Sequence, residues 1–502
     1  MSLNPEPAAP EERAELDLPP KSYADAAEEA LQPASHANGT DGTVDDTKKR
    51  LRSKIDQVKA NGLSITAGGD TESLEGIGQD ASPKSPTAKG HRRKSSRSSQ
   101  GSVGRKHGEQ MGADVFEKHS NGHGDALISV KPPQELERDR RTDLKRRNSE
   151  LKSGRQAGAG WAKSKIRFAP MNVPLQRRLQ TLAVLMHTLS IVGGLAIFFF
   201  LCSIPLLWPI LLPYTVYVLF SNAGTSGELS FRSERLRRLP VWSLFASYYP
   251  ARLHRSQELE PTRKYIFGYH PHGIISHGAF AAFATEALGF SQLFPGITNA
   301  LLTLDSNFRY PIYREYALRL GMASVSRESC ENILSKGGPN GEGMGRAITI
   351  VVGGARESLD ARPGVIRLVL RRRKGFVKMA IRTGADLVPV LAFGENDLYE
   401  QVDGQSHPYL HKLQMLVKKV MGFTVPIFHA RGIFNYDVGM MPYRRPINIV
   451  VGRPIRVVQD KHPDNDLINE VHEKYINELL RLWEVHKDTF AKHRQGELEI
   501  VE

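Results

Sequence analysis

Between Arg178 and Glu228 the chain carries no Asp, Glu, Lys or Arg. A membrane-spanning helix needs only ~20 apolar residues, and this run is more than twice as long. Leu182 to Leu201 is almost wholly apolar and ends in Phe198-Phe199-Phe200-Leu201. Pro205, Pro209 and Pro213 follow, with Trp208 among them and a second apolar stretch from Leu206 to Phe220. Arg177 and Arg178 precede the block; Arg232, Arg235, Arg237 and Arg238 come after it. Basic residues on both flanks place both ends on the cytosolic side. The spacing predicts a membrane hairpin or re-entrant loop over 179–227, bent at the prolines, with a short second arm. One crossing, with the remainder buried in protein, is the alternative. A soluble core helix is the plainer reading, and the length of the charge-free run argues against it.

Residues 1–165 differ in kind. They are rich in Ala, Ser, Gly and charged residues and poor in aromatics, as in Arg92-Arg93-Lys94-Ser95-Ser96-Arg97-Ser98-Ser99. Such runs bury too little apolar surface to offset chain entropy, so a long disordered tail is expected. Glu6, Glu11, Glu12 and Glu15, with no apolar core, argue against a signal peptide at its start. Arg92 to Ser95 and Arg146 to Ser149 fit basophilic-kinase sites, and a merely solvated basic tail is the plainer alternative. The sequon Asn38-Gly39-Thr40 is expected to face the cytosol and stay unglycosylated. The net charge of +14 favours anionic partners. Without interleaved aromatics to stack bases, nucleic acid is not expected to be one of them. Two cysteines in 502 residues exclude a disulfide scaffold and a Cys-rich zinc module.

Residues 260–485 read as one α/β domain with a mostly parallel sheet. Strands are expected at Lys264–Tyr269, Ala347–Val352, Asp386–Leu391 and Ile447–Val451. A helix is expected from Phe376 to Arg382, ending at Gly384, and a long amphipathic helix over 465–493. In such folds ligands bind at the carboxyl ends of strands.

Three motifs can carry chemistry. Tyr269-His270-Pro271-His272-Gly273 directly follows a strand. A histidine there suits a general base, since its pKa lies near neutrality, and Gly273 permits close ligand approach. A His-x-His pair can also bind zinc, but no third ligand stands at a recognisable spacing, although His277 is near. Ordinary loop histidines are the bland alternative. Val352-Gly353-Gly354-Ala355-Arg356-Glu357 ends a strand in two glycines that free N–H groups for an oxyanion. Here Glu357 could orient a histidine and Arg356 could hold a phosphate or carbonyl; a tight turn with a surface ion pair is the alternative. Arg371-Arg372-Arg373-Lys374, before a helix, could receive a nucleotide's phosphates or face anionic lipid; the sequence does not separate the two. No G-x-S-x-G elbow and no P-loop is present.

In this order the motifs resemble the type-2 diacylglycerol acyltransferase family, which includes monoacylglycerol and wax-alcohol acyltransferases. His270-Pro271-His272-Gly273 is similar to the family's HPHG signature. Pro311, Arg314 and Gly321 resemble its next block, and Gly353-Gly354-Ala355-Arg356-Glu357 its GGxxE block. Arg373-Lys374-Gly375-Phe376 to Phe393-Gly394-Glu395 resembles its RKGF…FGE block, and Arg431-Gly432-Ile433-Phe434 and Arg444-Arg445-Pro446 its C-terminal motifs. Ile166 to Pro170 resembles the segment before its membrane hairpin. The resemblance covers about 165 to 485 and leaves the tail out. The H-x4-D pair of wider glycerolipid acyltransferases occurs only as His36 to Asp41, in the tail. The acid partner of the histidine therefore falls to Glu357 by role and not by spacing.

The resemblance implies acyl transfer from acyl-CoA to diacylglycerol without cofactor or metal. Catalytic roles fall to His270, His272 and Glu357. Substrate-binding roles fall to Gly273, Gly353, Gly354, Arg356, Arg373, Lys374, Glu395 and Arg431. It further implies a bilayer partner, an endoplasmic reticulum membrane location with both termini cytosolic, and access to lipid droplets. The acceptor could instead be monoacylglycerol, retinol or a fatty alcohol. A lipid-binding protein with a dead site is the remote reading. Self-association into a homo-oligomer is left open.

Overall fold

The computed structural model describes residues 115–120, 126–131, 168–169, 172–401, 409, 416 and 427–501. Its centre is a nine-stranded sheet, numbered here in chain order. The strands are β1 (Phe116–Ser120), β2 (Ala126–Val130), β3 (Arg252–Arg255), β4 (Tyr265–His270), β5 (Thr298–Thr303), β6 (Ala323–Ser324), β7 (Arg346–Val351), β8 (Asp386–Phe393) and β9 (Asn448–Val451). Across the sheet they run β1-β2-β3-β9-β8-β4-β7-β5-β6.

From β8 to β6 all pairings are parallel. The other flank is mixed: β3 pairs parallel with β9, while β9–β8, β2–β3 and β1–β2 are antiparallel. The expected mostly parallel sheet thus holds for the half that carries the motifs, and the whole is a mixed α/β sheet. β4 and β8 are buried along their entire length. That is why both read as continuous apolar runs and not as alternating ones.

Two strands arise where disorder was expected. β1 and β2 lie inside 1–165 and extend the sheet beyond β3, with Ile128 opposite Arg255 and Ser129 opposite His254. Leu127 enters the core, and a hydrogen bond joins the His119 ring to Ser129 Oγ across the hairpin. A short alternating segment, Ala126-Leu-Ile-Ser-Val130, supplies enough apolar surface once a sheet edge is there to receive it. The kinase-type sites and the sequon lie outside the described residues.

Eight helices are used below. α1 (Leu175–Thr188) leads into the charge-free region, α2 (Ser190–Cys202) and α3 (Trp208–Phe220) lie within it, α4 (Pro240–Tyr248) follows it, and α5 (Tyr313–Arg319), α6 (Gly354–Asp360), α7 (Gly375–Thr383) and α8 (Asn465–Phe490) belong to the domain. α7 ends at Gly384, which takes the left-handed cap that the sequence indicated. α8 starts at Asp464, whose side chain accepts a hydrogen bond from the Leu467 N–H.

The expected first hairpin arm, Leu182–Leu201, is divided. α1 and α2 meet at a 67° bend, and among the described residues no single helix is long and apolar enough to cross a membrane. The break at Leu189 has visible causes. The His187 ring stacks on Phe280 at 3.8 Å and hydrogen-bonds Tyr316, which holds the end of α1 on the domain. Gly194 then lets α2 approach the start of α5, where an added Cβ would lie 3.3 Å from the Tyr313 nitrogen. α1 itself is clamped by Arg444, which donates to Gln180 Oε1, Thr181 Oγ1 and the Arg177 carbonyl.

Candidate active site

Strands β8, β4 and β7 are adjacent and parallel, so their carboxyl ends open at the same edge. β4 ends in His270-Pro271-His272-Gly273, β7 leads into Gly353-Gly354 and α6, and β8 leads into Gly394-Glu395. Three of the sequence motifs therefore meet at the end of one sheet, the position where open α/β sheets bind ligands.

The two histidines occupy different surroundings. His270 is fully buried, and its Nε2 lies 2.9 Å from the Tyr475 hydroxyl on α8. That hydroxyl also sits 3.1 Å from the Gly268 carbonyl, which can only accept. The phenol proton therefore goes to Gly268, and His270 Nε2–H donates to the Tyr475 oxygen. His270 Nδ1 is left enclosed in protein, without a partner among the described residues. Burial pulls its pKa down to about 3, so the ring is neutral.

His272 is half-buried. Its Nδ1 lies 3.1 Å from the Gly273 carbonyl, which makes Nδ1 the protonated nitrogen. The lone pair then resides on Nε2, the nitrogen directed away from the protein's own acceptor. Burial lowers this pKa as well, and Arg373 adds to the effect. A neutral imidazole with an available Nε2 has the form a general base requires.

Glu357 does not orient an imidazole, as its role implied. Its Oε1 accepts from the backbone N–H of His272 at 2.6 Å, and its Oε2 accepts from the N–H of Val369 at 2.9 Å. The carboxyl thus fixes the loop and not the ring. Burial pushes its pKa up to about 8 against the opposing pull of both hydrogen bonds and Arg373. Gly353, with φ of +102°, lies so close to Glu357 Oε2 that no side chain could replace its hydrogen.

Glu395, expected to touch substrate, is 2% exposed and serves the same loop from below. Its Oε2 accepts from the Tyr269 hydroxyl at 2.7 Å and the Gly278 N–H at 2.9 Å. An added Cβ on Gly273 would stand 2.8 Å from its Cγ. Two buried carboxyl groups thus brace the His270–Gly278 turn, one from α6 after β7 and one from the segment after β8.

The remaining candidates separate. Arg373 donates to the Gly353 carbonyl at 3.3 Å and so belongs to the site. Lys374 reaches Asn469 on α8 at 2.5 Å, and Arg356 is exposed at the start of α6. Arg431 is buried elsewhere, on a loop beside α4, with its guanidinium over the Tyr436 ring at 5.1 Å. Arg314 is buried beneath α3, where it donates to Ser221 and lies 4.8 Å over Tyr217, so that block anchors the charge-free helices. No cluster of three or more His, Cys, Asp or Glu that could hold a metal occurs among the described residues.

Tyr475 is the residue that sequence reasoning missed. It sits on the apolar stripe of α8 and reads as core. The one available signal was Gly268 within an otherwise bulky strand, since the Tyr475 hydroxyl fills the space a side chain would take there.

Comparison with known proteins bears on the same residues. The diacylglycerol acyltransferase family model matches residues 199–501. The chain is 51% identical over 340 residues to diacylglycerol O-acyltransferase 2A of Umbelopsis ramanniana, covering 67% of this chain and 94% of that protein. It is 47% identical over 323 residues to diacylglycerol O-acyltransferase 1 of Schizosaccharomyces pombe, covering 64% and 91%. It is also 45% identical over 333 residues to 2-acylglycerol O-acyltransferase 1 of Bos taurus, covering 65% and 97%. No solved structure matches the chain at a significant level.

Proposed function

The chain belongs to the diacylglycerol acyltransferase family, and we propose that it makes triacylglycerol by direct acyl transfer from acyl-CoA to diacylglycerol, with His272 as the general base. The observation that carries this reading is the pair of histidine tautomers. His272 keeps its Nε2 lone pair available, whereas His270 has its Nε2–H committed to Tyr475 and its Nδ1 enclosed.

In this mechanism His272 Nε2 takes the proton of the free hydroxyl, and the oxygen attacks the thioester carbonyl. Backbone N–H groups near Gly273 or Gly354 stabilise the tetrahedral oxyanion, each worth ~3 kcal/mol. The CoA thiolate leaves, and the imidazolium returns a proton to it. A thioester is already activated, so no enzyme nucleophile is required. His270, Glu357 and Glu395 hold the loop. The exposed Arg371 and Arg372 sit beside Arg373 and suit the phosphates of CoA.

The charge-free helices serve the same reaction by keeping the site at a bilayer. α2 and α3 have 13 residues each, a length of ~20 Å at ~1.5 Å per residue. That falls short of a ~30 Å hydrocarbon core, which favours a re-entrant hairpin with both flanks cytosolic over two crossings. The endoplasmic reticulum membrane, with transfer to droplet surfaces, fits such a device. Strictly reticular fluorescence of the tagged chain after lipid loading would remove the droplet element.

Membranes from a host that makes no triacylglycerol, given labelled acyl-CoA and diacylglycerol, test the assignment. His272→Ala is expected to lower the rate ~10²–10⁴-fold. Glu357→Gln keeps the carbonyl acceptor and is expected to retain measurable activity. Full activity in His272→Ala would refute the base assignment. Product with monoacylglycerol or a fatty alcohol, and none with diacylglycerol, would keep the chemistry and change the acceptor; the monoacylglycerol option is raised by the similarity to the bovine 2-acylglycerol enzyme.

A further inference from the structure

α1 buries one apolar face in the core, through Ala183 and Val184, and carries a second apolar stripe on the outside. Its Gln180, Ala183 and Val184 face the protein, and Gln180 donates to Ser247 of α4. Its outward stripe is Leu175, Leu179, Leu182 and Met186, spaced four, three and four residues apart and all exposed. Six residues before α1 the Ala169 N–H donates to the Phe434 carbonyl, and Phe168 bridges to Asn435. That contact joins the tip of the 430–441 loop to the chain that leads into α1. Phe168 is 74% exposed, Phe434 78% and Met440 68%, and the backbone pairing makes the first two neighbours. The loop is rooted by paired backbone bonds between Arg431 and Met441, and Arg444 ties the following segment to α1.

We propose that the outward stripe of α1 and the Phe434–Met440 loop tip form one docking face that lies flat in the headgroup layer of a bilayer. It would fix the depth and tilt of the active site independently of the α2–α3 hairpin. The proposal rests on the reading above that α2 and α3 enter a membrane. A lipid surface is the occupant for three reasons. The stripe meets α2 at the bend, where Leu189 is itself exposed, and α2 exposes Val192, Ile197, Phe199 and Phe200; whatever covers α2 reaches the end of the stripe. The exposed Arg178 stands at the start of α1, where phospholipid headgroups would be. The 67° bend turns the chain from the direction of α1 to another direction at Leu189, as an in-plane helix feeding an inserted one requires.

The test uses the full chain in liposomes of phosphatidylcholine with some phosphatidylserine. Cys202→Ser and Cys330→Ala remove both native thiols. A single cysteine is placed at Leu182, Phe434, Leu212 or Val458 and labelled with an environment-sensitive fluorophore. Labels at 182 and 434 should shift to the blue and be quenched most by nitroxide lipids labelled near the headgroup. The label at 212, on α3, should be quenched most by nitroxides near the chain ends, and that at 458 by neither. Quenching at 212 without quenching at 182 or 434 overturns this proposal and leaves the hairpin standing. No quenching at 212 overturns the hairpin reading and this proposal with it. Deep quenching at 182 shows that α1 crosses, which also overturns it. Should the thiol-free chain lose acyl transfer, a genetically encoded fluorescent amino acid at the same positions gives the same readout with native cysteines.

Discussion

Glu395 and Tyr475 hold the His270–Gly278 turn at the residue scale. A carboxyl whose folded-state pKa lies above its unfolded value stabilises the fold fully below the unfolded value. That stability is lost as pH rises through the folded value. For Glu395 the window runs from 4.5 to about 7. Glu395→Gln keeps an acceptor for Tyr269 and Gly278 but cannot ionise. Thermal unfolding across this window should therefore be flatter in the variant, by at most about 1.4 kcal/mol per pH unit. Parallel curves for variant and wild type would contradict the buried, ionisable Glu395 described above. Tyr475→Phe removes the hydrogen bonds to His270 and Gly268 while leaving the ring packed on Phe376. Its expected cost is about 1–3 kcal/mol of stability, with a smaller loss of rate than His272→Ala.

Helix α1 is held at three points by a single side chain. Arg444 gives it three hydrogen bonds and lies 4.0 Å over the Tyr248 ring of α4. Arg444→Ala should loosen α1 by about 2–4 kcal/mol and speed proteolysis after Arg177 or Arg178 in detergent. Unchanged cleavage would show that packing alone holds the helix. Elements whose signals are local were legible in the sequence: β4 and β8 from unbroken apolar runs, α7 from Gly384, α8 from its apolar stripe. The bend at Leu189 was not, because it depends on Phe280 and Tyr316, about a hundred residues further along the chain. The β1–β2 hairpin was hidden by the composition around it. Of the site, His270, His272, Gly353 and Glu357 were readable as motifs. The division of labour between the histidines was not, since it turns on a hydrogen bond between residues 205 positions apart.

For the molecule as a whole, the β1–β2 hairpin forms one end of the nine-stranded sheet. It covers the edge of β3, whose unpaired backbone would otherwise invite association. A chain starting at about residue 110 should keep wild-type unfolding temperature and acyl transfer. One starting at about residue 135 should unfold several degrees lower and associate on storage. Equal behaviour of the two by calorimetry and light scattering would demote the hairpin to an ornament.

The bond from Tyr475 to His270 also bears on the chain during its synthesis. By the time His270 to Gly273 leaves the ribosome, the signature is complete in covalent terms. The carboxylates that brace it follow 85 and 126 residues later, and the phenol that fixes the first histidine follows 205 residues later. A chain truncated before α8 therefore carries the whole motif without the hydroxyl that holds His270.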